Sequence, residues 1–97
     1  MNDTYISITG MQHYHGSQPF SVGGKLCCTK EPDNPADDEA IAVSLQPFGK
    51  VGYVANSIYT RAAGTRSAGR IYDSVPDTFS VTVAFVTSTT VIAKVKE

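Results

Sequence analysis

The alternation of apolar and polar residues along the chain predicts a fold built mainly of short strands. The clearest run extends from Phe79 to Phe85, where every second residue is valine or phenylalanine and the others are serine, threonine or alanine. A two-residue period places Phe79 and Phe85 on the same, buried face of one strand. Weaker forms of this pattern predict further strands at 4–9, 25–30, 40–46, 50–54 and 91–96, and a short edge strand at 70–73.

The apolar spacing changes to a helical period near the middle of the chain. Asn56 or Ser57 is a suitable N-cap, and Ile58 and Ala62 lie four residues apart. These signals predict one short helix at 57–63, followed by a loop that reaches residue 69. One helix gives no repeated strand–helix alternation, so a doubly wound sheet is not expected.

Six or seven short strands in a chain of 97 residues predict a single mainly β domain spanning 1–97. We expect the strands to form a small β-barrel or rolled sheet, because closing a sheet removes edges that would otherwise pair with other chains. The hydrophobic fraction of 41% and the net charge of -1 are typical of a globular protein.

Composition also predicts where the chain resides. No apolar run approaches the ~20 residues that a membrane span needs, and the first residues lack the features of an export signal. Cys27 and Cys28 are neighbours on a predicted strand, so their side chains point to opposite faces and a disulfide between them is poorly placed. We therefore expect a cytoplasmic protein with no membrane partner.

Charge is concentrated in one segment, Glu31–Glu39, which we call the acidic turn. Five of its nine residues are carboxylic acids and two are prolines. Proline and Asn/Asp chemistry predicts a rigid turn, in which the acids repel one another unless a cation offsets them. We expect Lys30 or an arginine to do so. The following segment, 40–72, carries four bases and no acid, so the two segments either form opposite charged poles or fold together and cancel.

Several chemistries are open to these residues. Asn34 can form an Asx turn and Asp37 can cap the loop backbone, or both can contact a ligand. The acids Glu31, Asp33 and Asp37 allow a metal-dependent phosphodiesterase to be imagined, although no metal-binding spacing is present. A zinc site that uses the histidines and cysteines is disfavoured for the same reason. We predict no cofactor, no metal and no enzymatic activity.

The basic segment offers a further surface. Three arginines alternate with tyrosines near the predicted helix, a combination found where proteins bind nucleic-acid strands. These residues allow an alternative strand-binding surface opposite the acidic turn, but ordinary solvated charge is the favoured interpretation. The residues concerned are Arg61, Arg66 and Arg70, with Tyr59 and Tyr72.

The order of motifs resembles the HIRAN domain. The motifs are Ile-Thr-Gly at 8–10, Tyr-His-Gly at 14–16, Glu-Pro-x-Asn-Pro-x-Asp at 31–37 leading into Ala-Ile-x-Val at 40–43, and Val-Gly-Tyr-Val at 51–54. The resemblance extends from about residue 8 to about residue 63. The segment 64–73 is similar to small stand-alone HIRAN proteins of bacteria.

The resemblance implies an OB-like β-barrel with one or two short helices. Characterised members are fused to a helicase and bind single-stranded DNA at its 3′ end, in a pocket formed by three segments. Carried over to this sequence, with Tyr14 added beside the first segment, the implied nucleic-acid-binding residues are Gln12, His13, Tyr14, Asn34, Ala36, Asp37, Tyr53 and Asn56.

Departures from the family pattern imply weak binding. The DNA-binding family pattern has arginine and tyrosine where this chain has Gln12 and His13, an aromatic residue in place of Ala36, and lysine in place of Asn56. Cations on phosphates and rings stacked on bases supply much of the affinity for a strand. The sequence thus predicts a weak single-stranded DNA-end binding module. The alternatives are a protein-interaction module that recruits a helicase or nuclease partner, and a metal-dependent phosphodiesterase.

Overall fold

The computed structural model describes residues 3–96, and these residues form a closed antiparallel barrel with the strand order β1-β4-β3-β2-β5-β6. The prediction of a small, mainly β barrel is confirmed. So are the six longer predicted strands, with ends that shift by no more than one residue. Their bounds are β1 Tyr5–Thr9, β2 Lys25–Glu31, β3 Ala40–Leu45, β4 Gly49–Val54, β5 Thr78–Val86 and β6 Val91–Val95.

The core lies inside the barrel and collects the inward residues of every strand. Ile6 and Ile8 from β1 meet Ile41 and Val43 from β3 there, and none of the four is more than 1% exposed. Alternation explains this, because residues two apart on a strand share one face of the sheet. Removing these aliphatic side chains from water supplies the main force that holds the barrel closed.

The two-residue pattern fails at the end of β5. Phe79 is 8% exposed as predicted, but Phe85 is 63% exposed, so the prediction that it faces the core is wrong. The cause is an irregularity in the pairing of β5 with β6 between Val83 and Phe85. An extra residue at a β-bulge reverses the alternation of faces beyond it, and Phe85 is therefore turned to solvent.

Residues 57–63 form turns, and the helix predicted there is absent. Ser57 does accept hydrogen bonds from the backbone of Thr60 and Arg61, as an N-terminal residue of a helix would. The chain then leaves the helical path, because the backbone N–H of Ala62 donates to the Ser7 hydroxyl at 2.9 Å. Ile58 is 73% exposed and has no apolar surface to cover.

A buried polar pair fixes this loop to the barrel. The Thr65 hydroxyl donates to the carbonyl of Ala62 at 2.6 Å, so the Ser7 hydroxyl must donate to Thr65 across the 2.8 Å that separates their oxygens. Ser7 and Thr65 are 0% and 4% exposed. Each hydroxyl is fully used, which offsets the cost of burying it. The loop is thus held against β1.

The helix of the chain begins later, at α1 Ala68–Ile71, and leads into a 3-10 turn at Tyr72–Ser74. The edge strand predicted at 70–73 is therefore wrong, and the loop predicted up to residue 69 ends at Ser67. Ser67 is the N-cap, and its hydroxyl accepts from the backbone of Arg70 at 3.3 Å. Ala68 and Ile71, three residues apart, are buried against the barrel. Among residues 3–96, no helix has the length and apolar character needed to cross a membrane.

The two cysteines lie on opposite faces of β2, as their spacing predicts. Cys27 is exposed and Cys28 is completely buried, and both are free thiols. Burial raises the pKa of the Cys28 thiol to about 12, and the neighbouring Cys27 adds to the rise. A thiol in this environment is inert and serves as a small apolar side chain.

Candidate nucleic-acid interface

A surface pocket of about 270 Å³ lies between the acidic turn and the end of β4, and we call it the central pocket. Its walls come from the first strand, the acidic turn and the exit of β4, which the strand order brings side by side. Five of the residues implied by the resemblance meet here, namely Asn34, Ala36, Asp37, Tyr53 and Asn56. The rest of the lining is Thr9, Ala40 and Val54.

Asn34 shapes the acidic turn from within. Its side-chain oxygen accepts from the backbone N–H groups of Ala36 at 2.9 Å and Asp37 at 3.3 Å, which is an Asx turn. Its amide nitrogen donates to Glu31 Oε1 at 3.0 Å. The side chain therefore fixes one wall of the pocket, and its contacts within the turn account for the carbonyl oxygen and one amide hydrogen.

Asp37 connects the acidic turn to the segment after β4. Its Oδ1 accepts from the backbone of Glu39, and its Oδ2 accepts from the amide of Asn56, both at 2.9 Å. The Asn56 oxygen in turn accepts from the backbone of Gly69 at 2.8 Å. An amide is suited to this place because it donates and accepts at once. Each carboxylate oxygen keeps acceptor capacity for a ligand hydroxyl.

A charged network lies beside the pocket and offsets one acid of the turn. Lys50 donates to Glu31 Oε2 at 2.9 Å and to the Tyr53 hydroxyl at 2.7 Å, and Tyr53 donates to Glu31 Oε1 at 2.8 Å. The expectation that Lys30 or an arginine offsets the turn is thus wrong for Glu31. Lys30 instead donates to the Val75 carbonyl at 2.7 Å. The sequence did not indicate that Lys50 and Glu31 meet, because this depends on β2, β3 and β4 being adjacent.

This network predicts a specific loss of stability in acid. Hydrogen bonding to Lys50 holds the pKa of Glu31 below its ordinary value of 4.5. The folded state therefore binds fewer protons than the unfolded chain near that pH, and the stabilisation is complete above about pH 4.5 and lost as the pH falls through the lowered pKa. We expect Glu31→Gln to reduce the free energy of unfolding at pH 7 by on the order of 1 kcal/mol, since both partners are partly solvated.

Urea titrations at neutral pH and near pH 3 measure this effect. The difference in unfolding free energy between the original chain and Glu31→Gln should become smaller at the lower pH, where the Glu31 carboxyl becomes protonated. Asp33→Asn is the control, because Asp33 is exposed in the same turn and has no ion pair in residues 3–96. An equal difference in unfolding free energy at both pH values would show that the charge of Glu31 does not cause the loss of stability.

The remaining predicted residues lie outside the central pocket. Gln12 lines a neighbouring cavity of about 450 Å³, which shares Thr9 with the central pocket and is also lined by Tyr59. His13 and Tyr14 are exposed, and neither lines the central pocket. The structure therefore brings five of the eight implied residues together in the central pocket, places Gln12 in the neighbouring cavity, and leaves His13 and Tyr14 outside both.

Sequence reasoning did not place Tyr59 with Gln12. Its ring is 91% exposed, the most exposed of the large apolar and aromatic side chains in the described part of the chain. It reaches its position through the turns at 57–63, which replace the predicted helix. The sequence did contain one indication that Tyr59 is exposed. It follows Ile58 in an otherwise polar segment, and the pair does not belong to a regular apolar repeat.

The three arginines line another cavity of about 300 Å³, together with Asn56, Ile58, Thr65 and Ser67; we call it the arginine pocket. Asn56 lines the arginine pocket and the central pocket alike. Of the two arrangements left open by the sequence, the structure therefore excludes opposite poles, because the basic surface adjoins the acidic turn. Their charges do not cancel directly either: within residues 3–96 no carboxylate lies within 4.0 Å of an arginine guanidinium.

The metal-dependent alternative finds no support in the side-chain arrangement. Residues 3–96 contain no group of three or more His, Cys, Asp or Glu side chains placed to hold a metal ion. Glu31 is bound to Lys50 and Tyr53, and Asp37 is bound to Asn56. His15 is turned towards the β3–β4 hairpin, where its Nε2 lies 3.2 Å from the Phe48 carbonyl. Glu31 and Asp37 thus have protein partners other than a metal ion.

A closed barrel of six strands, with a shallow and mainly apolar pocket at the edge of an Asx turn, defines a small β-barrel binding domain. The chain belongs to the HIRAN domain family, whose family model matches residues 1–89. HIRAN domains bind DNA, so membership supports a nucleic-acid-binding module as the general class of function.

Solved structures agree on the fold. The HIRAN domain of human HLTF is similar over 97% of this chain and 73% of its own, with a TM-score of 0.68 and 18% identity. A protein from Lactobacillus plantarum is similar over 97% of this chain and 93% of its own, with a TM-score of 0.61 and 16% identity. A search of curated proteins found no match.

Proposed function

We propose that this chain binds the end of a DNA single strand, weakly and without catalysing a reaction. The observation that carries the proposal is the central pocket, where Asn34, Asp37, Tyr53 and Asn56 meet from distant parts of the chain. Its volume of about 270 Å³ is at the lower limit of ligand pockets, which suits one terminal nucleotide better than a longer segment.

The chemistry of the pocket matches a sugar with a free hydroxyl. The Asp37 carboxylate accepts a hydrogen bond from a terminal 3′ hydroxyl, since its protein contacts leave acceptor capacity on both oxygens. The apolar walls, formed by Ala40 and Val54 among others, receive the base or the sugar ring. A 3′ end that is blocked by a phosphate has no hydroxyl to donate, and the phosphate brings a second negative charge close to that of Asp37.

Weak binding follows from the side chains that are absent from the rim. Ala36 offers no ring on which a base can stack, and Asn56 offers no positive charge. The nearest lysine, Lys50, is held by Glu31 at 2.9 Å. Stacking on one aromatic residue is worth roughly 1–3 kcal/mol per base, so its loss reduces affinity without removing the pocket.

The test is a titration with short labelled single strands that carry a free or a blocked 3′ end, at two salt concentrations. We expect weak binding that prefers the free end and decreases with salt. Ala36→Tyr should increase affinity about tenfold by supplying a stacking surface at the rim. Ala63→Tyr is the matched control, because Ala63 is exposed and does not line the central pocket. Equal affinities for both ends, or no gain in Ala36→Tyr, would contradict the proposal.

A second candidate function is recruitment of a separately encoded helicase or nuclease. Asp33, Asp38 and Glu39 favour it, since all three are exposed and have no ion pair among residues 3–96. A basic partner surface would complement them, with affinity and association rate that fall with salt. The same titration separates the candidates: absence of strand binding at low salt leaves recruitment, and magnesium-dependent cleavage of the strands would contradict both.

A further inference from the structure

We propose that the arginine pocket is a phosphate-binding subsite for the strand whose end occupies the central pocket. The inference rests on the proposed function and adds to it a second contact surface and its chemistry. Three arginine residues line one cavity of about 300 Å³, and no acidic residue is part of its lining. The three are Arg61, Arg66 and Arg70.

The arginines of this pocket form no ion pair within the described chain. Arg61 donates to the Thr65 carbonyl, while the side chains of Arg66 and Arg70 are exposed and have no hydrogen-bond or ion-pair partner in residues 3–96. Three like charges around one cavity repel each other, and an anion between them converts the repulsion into attraction. A guanidinium presents paired N–H donors at the spacing of phosphate oxygens, which makes phosphate the matching anion.

The backbone that carries the arginines is fixed in place before any ligand arrives. The N–H of Arg66 donates to the Tyr5 carbonyl at 2.8 Å, and the buried Thr65 hydroxyl is tied to Ser7. The next residues enter α1 through the Ser67 cap. A site of this kind loses less conformational entropy on binding than a flexible basic loop does, because only the side-chain ends must become ordered.

Asn56 sets the relation between the two pockets. It lines both, and its amide joins Asp37 on one side to the Gly69 backbone on the other. A strand that ends in the central pocket therefore continues past Asn56 to the arginines. The phosphate next to the terminal nucleotide is the group that the arginine pocket receives. Ile58, 73% exposed at the same pocket, offers an apolar contact to the adjoining sugar or base.

The first test is the salt dependence of binding to a 3′-free oligothymidylate of about ten nucleotides. We expect the double variant Arg66→Gln/Arg70→Gln to bind about tenfold more weakly at low salt, with a log–log salt slope reduced by about 0.7 for the lost phosphate. Lys25→Gln/Lys96→Gln is the control, because it removes the same charge from exposed positions outside the pocket. Both doubles change exposed side chains and should fold normally, which thermal unfolding checks.

The second test locates the phosphate. One strand is an unmodified oligothymidylate, and the other carries an uncharged methylphosphonate next to its 3′ end. The original chain should bind the modified strand about tenfold more weakly than the unmodified one. The arginine double variant should bind the two strands equally, because it has already lost the contact to that phosphate. Additive losses, or equal salt slopes in the two double variants, would overturn the subsite and leave end binding intact. Failure of the original chain to bind any strand would overturn the proposed function and the subsite together.

Discussion

We expect Phe79→Ala to lower the free energy of unfolding by about 3 kcal/mol and Phe85→Ala to lower it by less than about 1 kcal/mol. The two phenylalanines lie on one strand six residues apart, so the sequence pattern alone gives them equal weight. Phe79 is 8% exposed in the core, opposite Cys28 of β2. Phe85 is 63% exposed beyond the irregularity in β5. Removing Phe79 leaves a cavity, whereas removing Phe85 exposes no core.

Urea unfolding followed by far-ultraviolet circular dichroism measures both values, which suits a chain without tryptophan. Each variant is the control for the other, because the chemical change is the same. Similar losses in the two variants would mean that β5 keeps its alternation to the end and that Phe85 is buried.

The second large effect is expected at Gly52 in β4. A Cβ atom added there would lie 2.8 Å from Ile8 Cγ2 and 2.9 Å from the Thr9 carbonyl oxygen. Since the oxygen belongs to the backbone of β1, the strand itself must move. We expect Gly52→Ala to cost about 2–3 kcal/mol of unfolding free energy, as overpacking of a tight site does.

Gly52 faces the seam where β1 meets β4, and this seam is short: its paired residues are Ile8 with Val54 and Thr9 with Tyr53. Three of these four residues, Thr9, Tyr53 and Val54, also line the central pocket, so Gly52→Ala should weaken strand binding as well. Ser44→Ala on the neighbouring strand is the control for a new alanine in this sheet. If Gly52→Ala lowers the free energy of unfolding by less than about 1 kcal/mol, β1 can move to accommodate the added methyl group and the prediction is wrong.

The strands were predictable because a barrel this small requires each of them to alternate. The mistakes arose where tertiary contacts override a local signal. Ser57 begins a helical turn, but the Ser7 hydroxyl captures the Ala62 N–H and ends it. Ser7 lies more than fifty residues away in sequence, so no local pattern reveals this contact. The helix at Ala68–Ile71 had a readable cap in Ser67, yet its four residues are too few for a period to emerge.

The candidate site was predictable to a different degree. Asn34 and Asp37 belong to a turn whose chemistry is local, and Tyr53 and Asn56 follow a glycine-containing strand motif, so the resemblance alone located them. The closeness of the arginine pocket depends on where the segment after β4 folds back. That path is set by Thr65 and Ser7, and by the amide of Asn56. Charge patterning left open whether the acidic and basic segments are separated, and only the three-dimensional fold shows that they are neighbours.

The pair of thiols on β2 gives this barrel a built-in reporter of its own opening. An alkylating reagent at neutral pH has access to Cys27, while Cys28 is enclosed and, with a pKa of about 12, carries almost no thiolate. Modification of the second thiol requires the sheet to separate, so its rate measures how often the barrel opens. Comparing that rate with and without a bound strand would show whether ligand binding keeps the barrel closed, in a chain that needs no added label.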